Sequence, residues 1–330
     1  MGTDELTARV VGAEDLGRCV VCDGVSALVV WRENGYEGRA CRCGTVYASP
    51  PPPLGAVDPT VDGHPDSYYA VPARRRVRWI QRYRPRGRVL DIGCGEGHFL
   101  AAAQAAGYDV AGIEPHPGRA RRAEARLGAP VECALFESCR PGEAEFDIVY
   151  HCDLLSHFAD PIAALRKMGG FLRPDGVLAF EVGLLGGIAP WWYTMIGTIG
   201  YPQHRWLYSV RSLRRLLARA DLELAHTAHF GLAPGTLFVA GVRSLARRYR
   251  RLRAAPQRPG PPAAAARVSV TRFVDRTESF WRYTVGRLSP RVGPATLFAI
   301  ARLRQSTRAH RHHVSVVSAP HLGAPQRRGG

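Results

Sequence analysis

Short apolar runs and helix-period segments alternate along residues 68–232. Val89, Leu90 and Ile92 make a run suited to a buried strand, and Phe99–Ala106 follows as a helix stopped by Gly107. Asp109–Glu114 reads as a second strand, His116–Leu127 as a charged helix ended by Gly128, and Pro130–Ala134 as a third short strand. A fourth strand begins near Phe146, residues 162–172 are helical, and Leu172-Arg-Pro-Asp-Gly176 turns into a fifth strand, Val177–Val182. Ser209–Ala220 places Leu213, Leu216 and Leu217 on one helical face, and Leu222–Phe230 is a sixth strand. For the seventh, Ala295–Arg302 fits better than Thr236–Val242. Upstream, Tyr68-Tyr69 and Ala73–Tyr83 form a helix with Val77 and Ile80 on its apolar side. Nearer the start, Ala27–Trp31 and Tyr36–Ala40 flank Asn34-Gly35, a hairpin signal.

The chemistry concentrates where the first of these strands meets its helix. Asp91 precedes Gly93, Gly95 and Gly97 in the pattern D-I-G-C-G-E-G, and a helix start adds free N–H groups and a positive dipole end. Glu114 closes the next strand about 20 residues after the loop, a spacing suited to gripping ribose hydroxyls. Three spaced glycines alone are weak, because dinucleotide-binding proteins share them. The leading Asp91 separates the two, since dinucleotide enzymes usually lack it. A second stretch, Glu145–Pro161, carries Phe146, Asp147, Asp153, Leu155, His157, Asp160 and Pro161 at matching places in the pattern F-D-x-x-x-x-x-D-x-L-E-H-x-x-D-P, with Ser156 where Glu is usual. With these motifs the chain resembles the class I S-adenosylmethionine-dependent methyltransferases over residues 68–232. The resemblance implies an α/β fold: a Rossmann-like, seven-stranded, mostly parallel sheet whose last strand is antiparallel. It places cofactor contacts at Asp91, Gly93, Cys94, Gly95, Gly97, Glu114, Leu135 and His151, with Tyr68 or Tyr69 reaching the methionine part.

Four of the eight cysteines cluster early, as Cys19-Val-Val-Cys22 and Cys41-Arg-Cys43. Two cysteine knuckles joined by a hairpin suit a closed tetrahedral Zn²⁺ site, structural because no coordination position stays open. Many similar methyltransferases begin with such a ribbon, with C-x-x-C in both halves, so the C-x-C here is a tighter variant.

Charge is unevenly placed. The chain carries +17, and residues 243–330 alone hold 19 Arg, no Lys and only Asp275 and Glu278 as acids. A basic segment can bind nucleic acid or anionic membrane. Lys167 is the chain's only lysine, however, so the arginine excess also fits biased codon supply. The segmentation is then a tail over 1–17, a zinc-ribbon-like hairpin over 18–49, a linker over 50–66, and the methyltransferase core over 67–235. A basic helical insertion over 236–290, the last strand and end of the core over 291–309, and a disordered tail over 310–330 complete it. No secretory signal is visible in the mixed, acidic residues 1–17, and a cytoplasmic location is expected. Val182–Tyr201 is nearly uncharged but carries Pro190 and several glycines, and reads as a loop or lid over the active site.

The leading function is methyl transfer to a small organic acceptor, a sugar or secondary metabolite, at oxygen or carbon. A hydroxyl acceptor needs a base. His151, His157 and His204 are candidates, with Asp153 as a carboxylate option, and Trp191, Trp192, Tyr193 and Tyr201 could wall the pocket. His157 could instead cap the next helix, and His204 could pack beneath the lid. An RNA methyltransferase using the basic segment, and a non-catalytic ribbon protein that keeps the cofactor fold, are the alternatives. Against RNA stand the absence of an N-P-P-Y-type motif and of aromatics interleaved with the basic run.

Overall fold

The computed structural model describes residues 16–53, 66–139, 144–196, 198–231 and 293–304. The expected tails, most of the linker, the basic insertion and the alternative strand Thr236–Val242 lie outside the described residues.

Two sheets are built. The larger contains β4 (Arg88–Ile92), β5 (Asp109–Ile113), β6 (Phe146–Cys152), β7 (Leu172–Leu184), β9 (Leu222–Gly231) and β10 (Ala295–Leu303), in the order β5-β4-β6-β7-β10-β9. β5, β4, β6 and β7 run parallel, while β10 is antiparallel to both β7 and β9. The sheet is Rossmann-like and mostly parallel, with its last strand in chain order antiparallel, as expected. The third expected strand is reduced to a single parallel bridge, Ile113 to Glu132. Pro130 has no N–H to extend the ladder, and beyond the bridge Ala134 N–H turns back to Glu132 O at 3.2 Å. β7 starts earlier than expected, because Leu172 already pairs with Phe146 across a register shift.

Register sorts the buried side chains onto two faces. Val89, Asp91, Ile148, Tyr150, Ala179, Phe298 and Ile300 share one, with α1 (Asp66–Gln81), α2 (His98–Ala105) and α3 (Pro117–Leu127). Helix α1 lays Ala73, Val77 and Ile80 on that face, and Trp79 stacks on Phe230 at 4.7 Å and tilts against Phe298 at 4.9 Å. Such aromatic pairs add about 0.5–1.5 kcal/mol each beyond their buried area. The other face holds Leu90, Ile92, Val149, Leu178 and Phe180 under α4 (Pro161–Phe171) and α6 (Val210–Arg219). His116 caps α3, whose end is closed by Gly128 in the left-handed region, and Asp160 caps α4.

The small sheet contains β1 (Val29–Glu33), β2 (Tyr36–Ala40), β3 (Val46–Ser49) and β8 (Trp206–Leu207), in the order β1-β2-β3-β8. Its fourth strand comes from the core, where Val46 pairs with Leu207 and Tyr47 with Trp206. The nearly uncharged stretch is therefore not a free lid. β7 runs to Leu184, the short helix α5 (Pro190–Met195) follows, and Tyr193, Ile199, Tyr201 and Leu207 pack against Val46 and Ala48. Arg205 is buried in this seam, donating to Pro52 O at 2.6 Å and to Pro53 O. Among the described residues, no helix is long and apolar enough to cross a membrane.

Replacing Arg205 with Ala strands the buried Pro52 carbonyl, releases that of Pro53 and leaves a void. The expected loss is about 2–4 kcal/mol of unfolding free energy by urea titration, and a loss below about 0.5 kcal/mol would show that the seam does not depend on it.

Candidate active site

The glycine loop sits at the carboxyl ends of β4 and β5, where open α/β sheets bind ligands. Gly97 has φ 77°, and a Cβ there would lie 3.1 Å from the Ala123 Cβ, so only glycine lets α2 start this close to α3. Gly95 has φ 57° with open space beside it, and its N–H donates to Glu114 Oε2 at 2.8 Å. The other oxygen of Glu114 accepts from His116 N–H at 3.0 Å. The acid expected to grip ribose hydroxyls thus stands beside the loop and holds it to β5. Gly93 completes the turn at φ 71° against Leu154. Cys94 is buried under Gly112, so it contributes backbone position and not a ligand-facing thiol. Leu135 is exposed just past the Glu132 bridge, with its carbonyl taken by Ser138 and Cys139.

Asp91 is buried, and that burial first, then nearby Glu114, holds its carboxyl well above the usual range against the opposing pull of Arg76. Arg76 reaches in from α1 and pairs with Glu181 of β7 at 2.5 Å, both largely shielded from water. Tyr150 lies between Asp91 and Ala179 in register, stacked on Phe99 at 3.7 Å, and its buried hydroxyl has no hydrogen-bond partner among the described residues. Sequence reasoning missed Arg76, Glu181 and Tyr150. Glu181 did carry a signal, as the lone acid inside the apolar run Val177–Leu184, but Arg76 was one of several arginines along a basic helix. Tyr69 stacks on His98 at 5.3 Å beside the same loop.

Past β6 the chain turns through Asp153, which takes φ 53° and whose N–H donates to Glu181 O at 2.8 Å. Cys152 and Asp153 reach solvent at the end of the strand, and desolvation by the surrounding protein pushes the Cys152 thiol up to about 12. His204 Nε2 lies 3.8 Å from Asp153 Oδ2, and the rings of His204 and His157 are 4.6 Å apart. Three of the candidate catalytic residues are therefore brought together. Asp160 Oδ1 accepts from Ile162 and Ala163 N–H, both at 3.0 Å, so His157 is not needed as the helix cap. Burial, then the neighbouring His204, lowers His157 below an ordinary histidine. Burial also opposes charge on His204, but the hydrogen bond and charge of Asp153 outweigh it and raise its pKa. Asp153 is held low in return, against desolvation, by His204 and then His157.

His151 lies elsewhere. It sits between Ile92 and Phe180 in register, on the face opposite Asp91, fully buried and stacked on Phe180 at 5.1 Å. Neither ring nitrogen has a hydrogen-bond partner, and burial drives its pKa to about 3, so it stays neutral at working pH. Of the aromatic candidates, Tyr193 and Tyr201 are buried against the small sheet. Trp191 and Trp192 stack on each other at 4.1 Å, with Trp191 exposed.

The sulfur atoms of Cys19, Cys22, Cys41 and Cys43 all lie within 4.8 Å of one another, with Cys19–Cys43 at 3.5 Å and Cys22–Cys41 at 3.3 Å. A tetrahedral ion with ~2.3 Å metal–sulfur bonds needs sulfurs about 3.8 Å apart, so the set fits with small adjustments. The tight C-x-C loop places both of its thiols in the cluster.

Residues 67–227 match the family model described as "Methyltransferase domain". Over these residues the chain is similar to methyltransferase domains. A curated relative from Methylocella silvestris, named ubiquinone biosynthesis O-methyltransferase, is 30% identical over 158 residues, which cover 43% of this chain and 61% of the relative. Another of that name, from Aromatoleum aromaticum, is 34% identical over 114 residues, 32% of this chain and 49% of the relative. The chain spans between 38% and 61% of the first curated relatives it matches. The solved TehB-like S-adenosylmethionine-dependent methyltransferase from Corynebacterium glutamicum is similar at 21% identity and TM-score 0.36, over 46% of this chain and 74% of that one.

The His204–Asp153 pair sets a pH window. The stabilisation from the raised His204 is fully present below the unfolded histidine pKa of ~6.5 and fades as pH rises through its higher folded value. The part from the lowered Asp153 is present above the unfolded carboxylate pKa and fades as pH falls through its folded value. The stability difference between wild type and His204→Gln is therefore greatest between about pH 4.5 and 6.5 and shrinks on either side. A difference that is flat from pH 5 to 9 would show that the pair does not form.

Proposed function

We propose that the protein transfers a methyl group from S-adenosylmethionine to a hydroxyl of a small organic acceptor, with His157 as general base. The observation that carries this reading is the meeting of His157, His204 and Asp153 at the sheet edge that also bears the glycine loop. The O-methyltransferase name of the relatives supports oxygen as the acceptor atom.

S-adenosylmethionine, when bound, supplies a methyl group made electrophilic by the sulfonium. Glu114 would hold the ribose hydroxyls. Gly93, Gly95 and Gly97 leave room for the cofactor against the backbone, and Cys94 contributes main chain to the same turn. Leu135 lies where the family makes its backbone contacts to adenine. Arg76, steadied by Glu181, offers a cation and Asp91 a buried carboxyl on the same face of the sheet. His157, kept neutral by its surroundings, takes the proton of the acceptor hydroxyl on its imidazole. Asp153 raises the pKa of His204 and so favours its charged form beside the carboxylate. Orientation supplies much of the remaining acceleration, and the reaction needs no covalent intermediate with the protein.

The four cysteines hold a structural Zn²⁺ in this reading, and the protein works in the cytoplasm. Metal analysis of the purified protein is expected to give about one zinc per chain, lost together with folding of the small sheet in Cys43→Ser. A metal-free wild type with an intact small sheet would refute the zinc assignment.

Incubation with methyl-labelled S-adenosylmethionine and extract of the source cell is expected to place label in a small-molecule fraction. His157→Ala should lower that transfer by about 10²–10⁴-fold. Ribonuclease-sensitive label would replace the small acceptor with RNA, and full activity in His157→Ala would remove the base.

A further inference from the structure

The tip of the β1–β2 hairpin reaches across the seam to the loop that carries His204. Glu33, the last residue of β1, accepts the backbone N–H groups of Ile199 and Gly200, both at 3.0 Å, and of Tyr201 at 3.4 Å, through Oε2. Its other oxygen accepts the hydroxyl of Thr198. Trp31 Nε1 donates to Glu33 Oε2 at 3.2 Å and fixes the carboxylate from its own strand. The next residue, Asn34, takes φ 51° at the turn and donates its side-chain N–H to Tyr201 O at 2.7 Å. Successive backbone N–H groups converging on one anion form a concave nest, and a carboxylate filling it fixes the loop conformation. That conformation then sets the histidine. Gln203 and His204 both donate their backbone N–H to Gly200 O, at 3.0 and 3.2 Å, so His204 hangs from the residue that Glu33 holds. Gly200 itself takes φ 83°, and a Cβ there would lie 2.9 Å from His204 Nδ1, so the ring sits close against the glycine.

We infer that Glu33 is a positioning residue: from the cysteine-bearing module it fixes the loop 198–204 and thereby seats His204 against Asp153 and His157. The small sheet is then part of the acceptor site and not only a stabilising knob. The role of that site rests on the methyltransferase reading, whereas the seating of His204 does not. The carboxylate of Glu33 is held below its ordinary pKa, against burial, by Thr198, Trp31 and the loop N–H groups, so it stays charged at working pH.

Histidine Cε1–H NMR titration of the full chain tests this, with His204→Gln assigning the signal. In wild type, His204 titrates above an ordinary histidine. In Glu33→Ala the nest empties, and His204 is expected to fall by at least about half a unit, roughly threefold in proton affinity, while the fully buried His151 remains silent. Glu33→Gln keeps one acceptor oxygen and should fall less. Asn34→Ala, which removes one side-chain bond at an exposed turn, provides a milder variant should Glu33→Ala fail to fold, and the same direction is expected. An unchanged His204 titration in every folded variant overturns the inference. Binding of S-adenosylhomocysteine by wild type is the separate test of the methyltransferase reading, and the titration reports on Glu33 whether or not it binds.

Discussion

The placement of the loop bearing His204 depends on a seam only two residue pairs long. Val46–Leu207 and Tyr47–Trp206 join the cysteine-bearing sheet to the core, and Tyr193, Ile199 and Tyr201 pack along that join. A two-residue strand is weak alone. Here Arg205 saturates the neighbouring proline carbonyls, Trp206 Nε1 donates to Phe158 O at 2.8 Å, and Gly44 packs its backbone against the cap of α6. The cysteine cluster shapes β3 from one end and the hairpin tip grips residues 198–201 from the other. A module that looks peripheral along the chain is therefore structurally continuous with the loop bearing His204.

Charge follows the same economy. The carboxyl edge of the large sheet brings buried Asp91 and Glu181 together with one cation, Arg76, on one face of the sheet. The turn beyond β6 pairs Asp153 with His204 and leaves His157 neutral. Two histidines with ordinary intrinsic pKa values are thus driven apart: burial and the neighbouring His204 lower His157, while Asp153 raises His204. Pairs of titratable groups separated in this way define acid and base roles.

Local features were legible in the sequence. The strand–loop–helix around Asp91, the Asn34-Gly35 hairpin and the order of core strands each depend on neighbours within a few residues. Long-range features were not. β8 is two residues long and carries no periodic signal, so its partner β3, about 160 positions away, could not be read. The loop or lid expected at Val182–Tyr201 is packed on the small sheet, which its sequence could not show: an uncharged run with Pro and Gly looks the same whether it floats or packs. His151 illustrates a different limit. β6 is buried on both faces, so alternation does not say which face a residue meets, and only the register with Ile92 and Phe180 removes it from the side of Asp91. The third strand shrank to one bridge because Pro130 truncates a run that was already short.

The central claim is that the carboxyl edge built from Asp91, Glu114 and the glycine loop is an S-adenosylmethionine site. Isothermal titration calorimetry of the full chain with S-adenosylhomocysteine, run in parallel with NAD⁺, tests it most directly. The account predicts saturable one-to-one binding of S-adenosylhomocysteine, weakened at least tenfold in Glu114→Ala, which is about 1.4 kcal/mol, and no binding of NAD⁺. Binding of NAD⁺ alone, or S-adenosylhomocysteine affinity indifferent to Glu114, would contradict it.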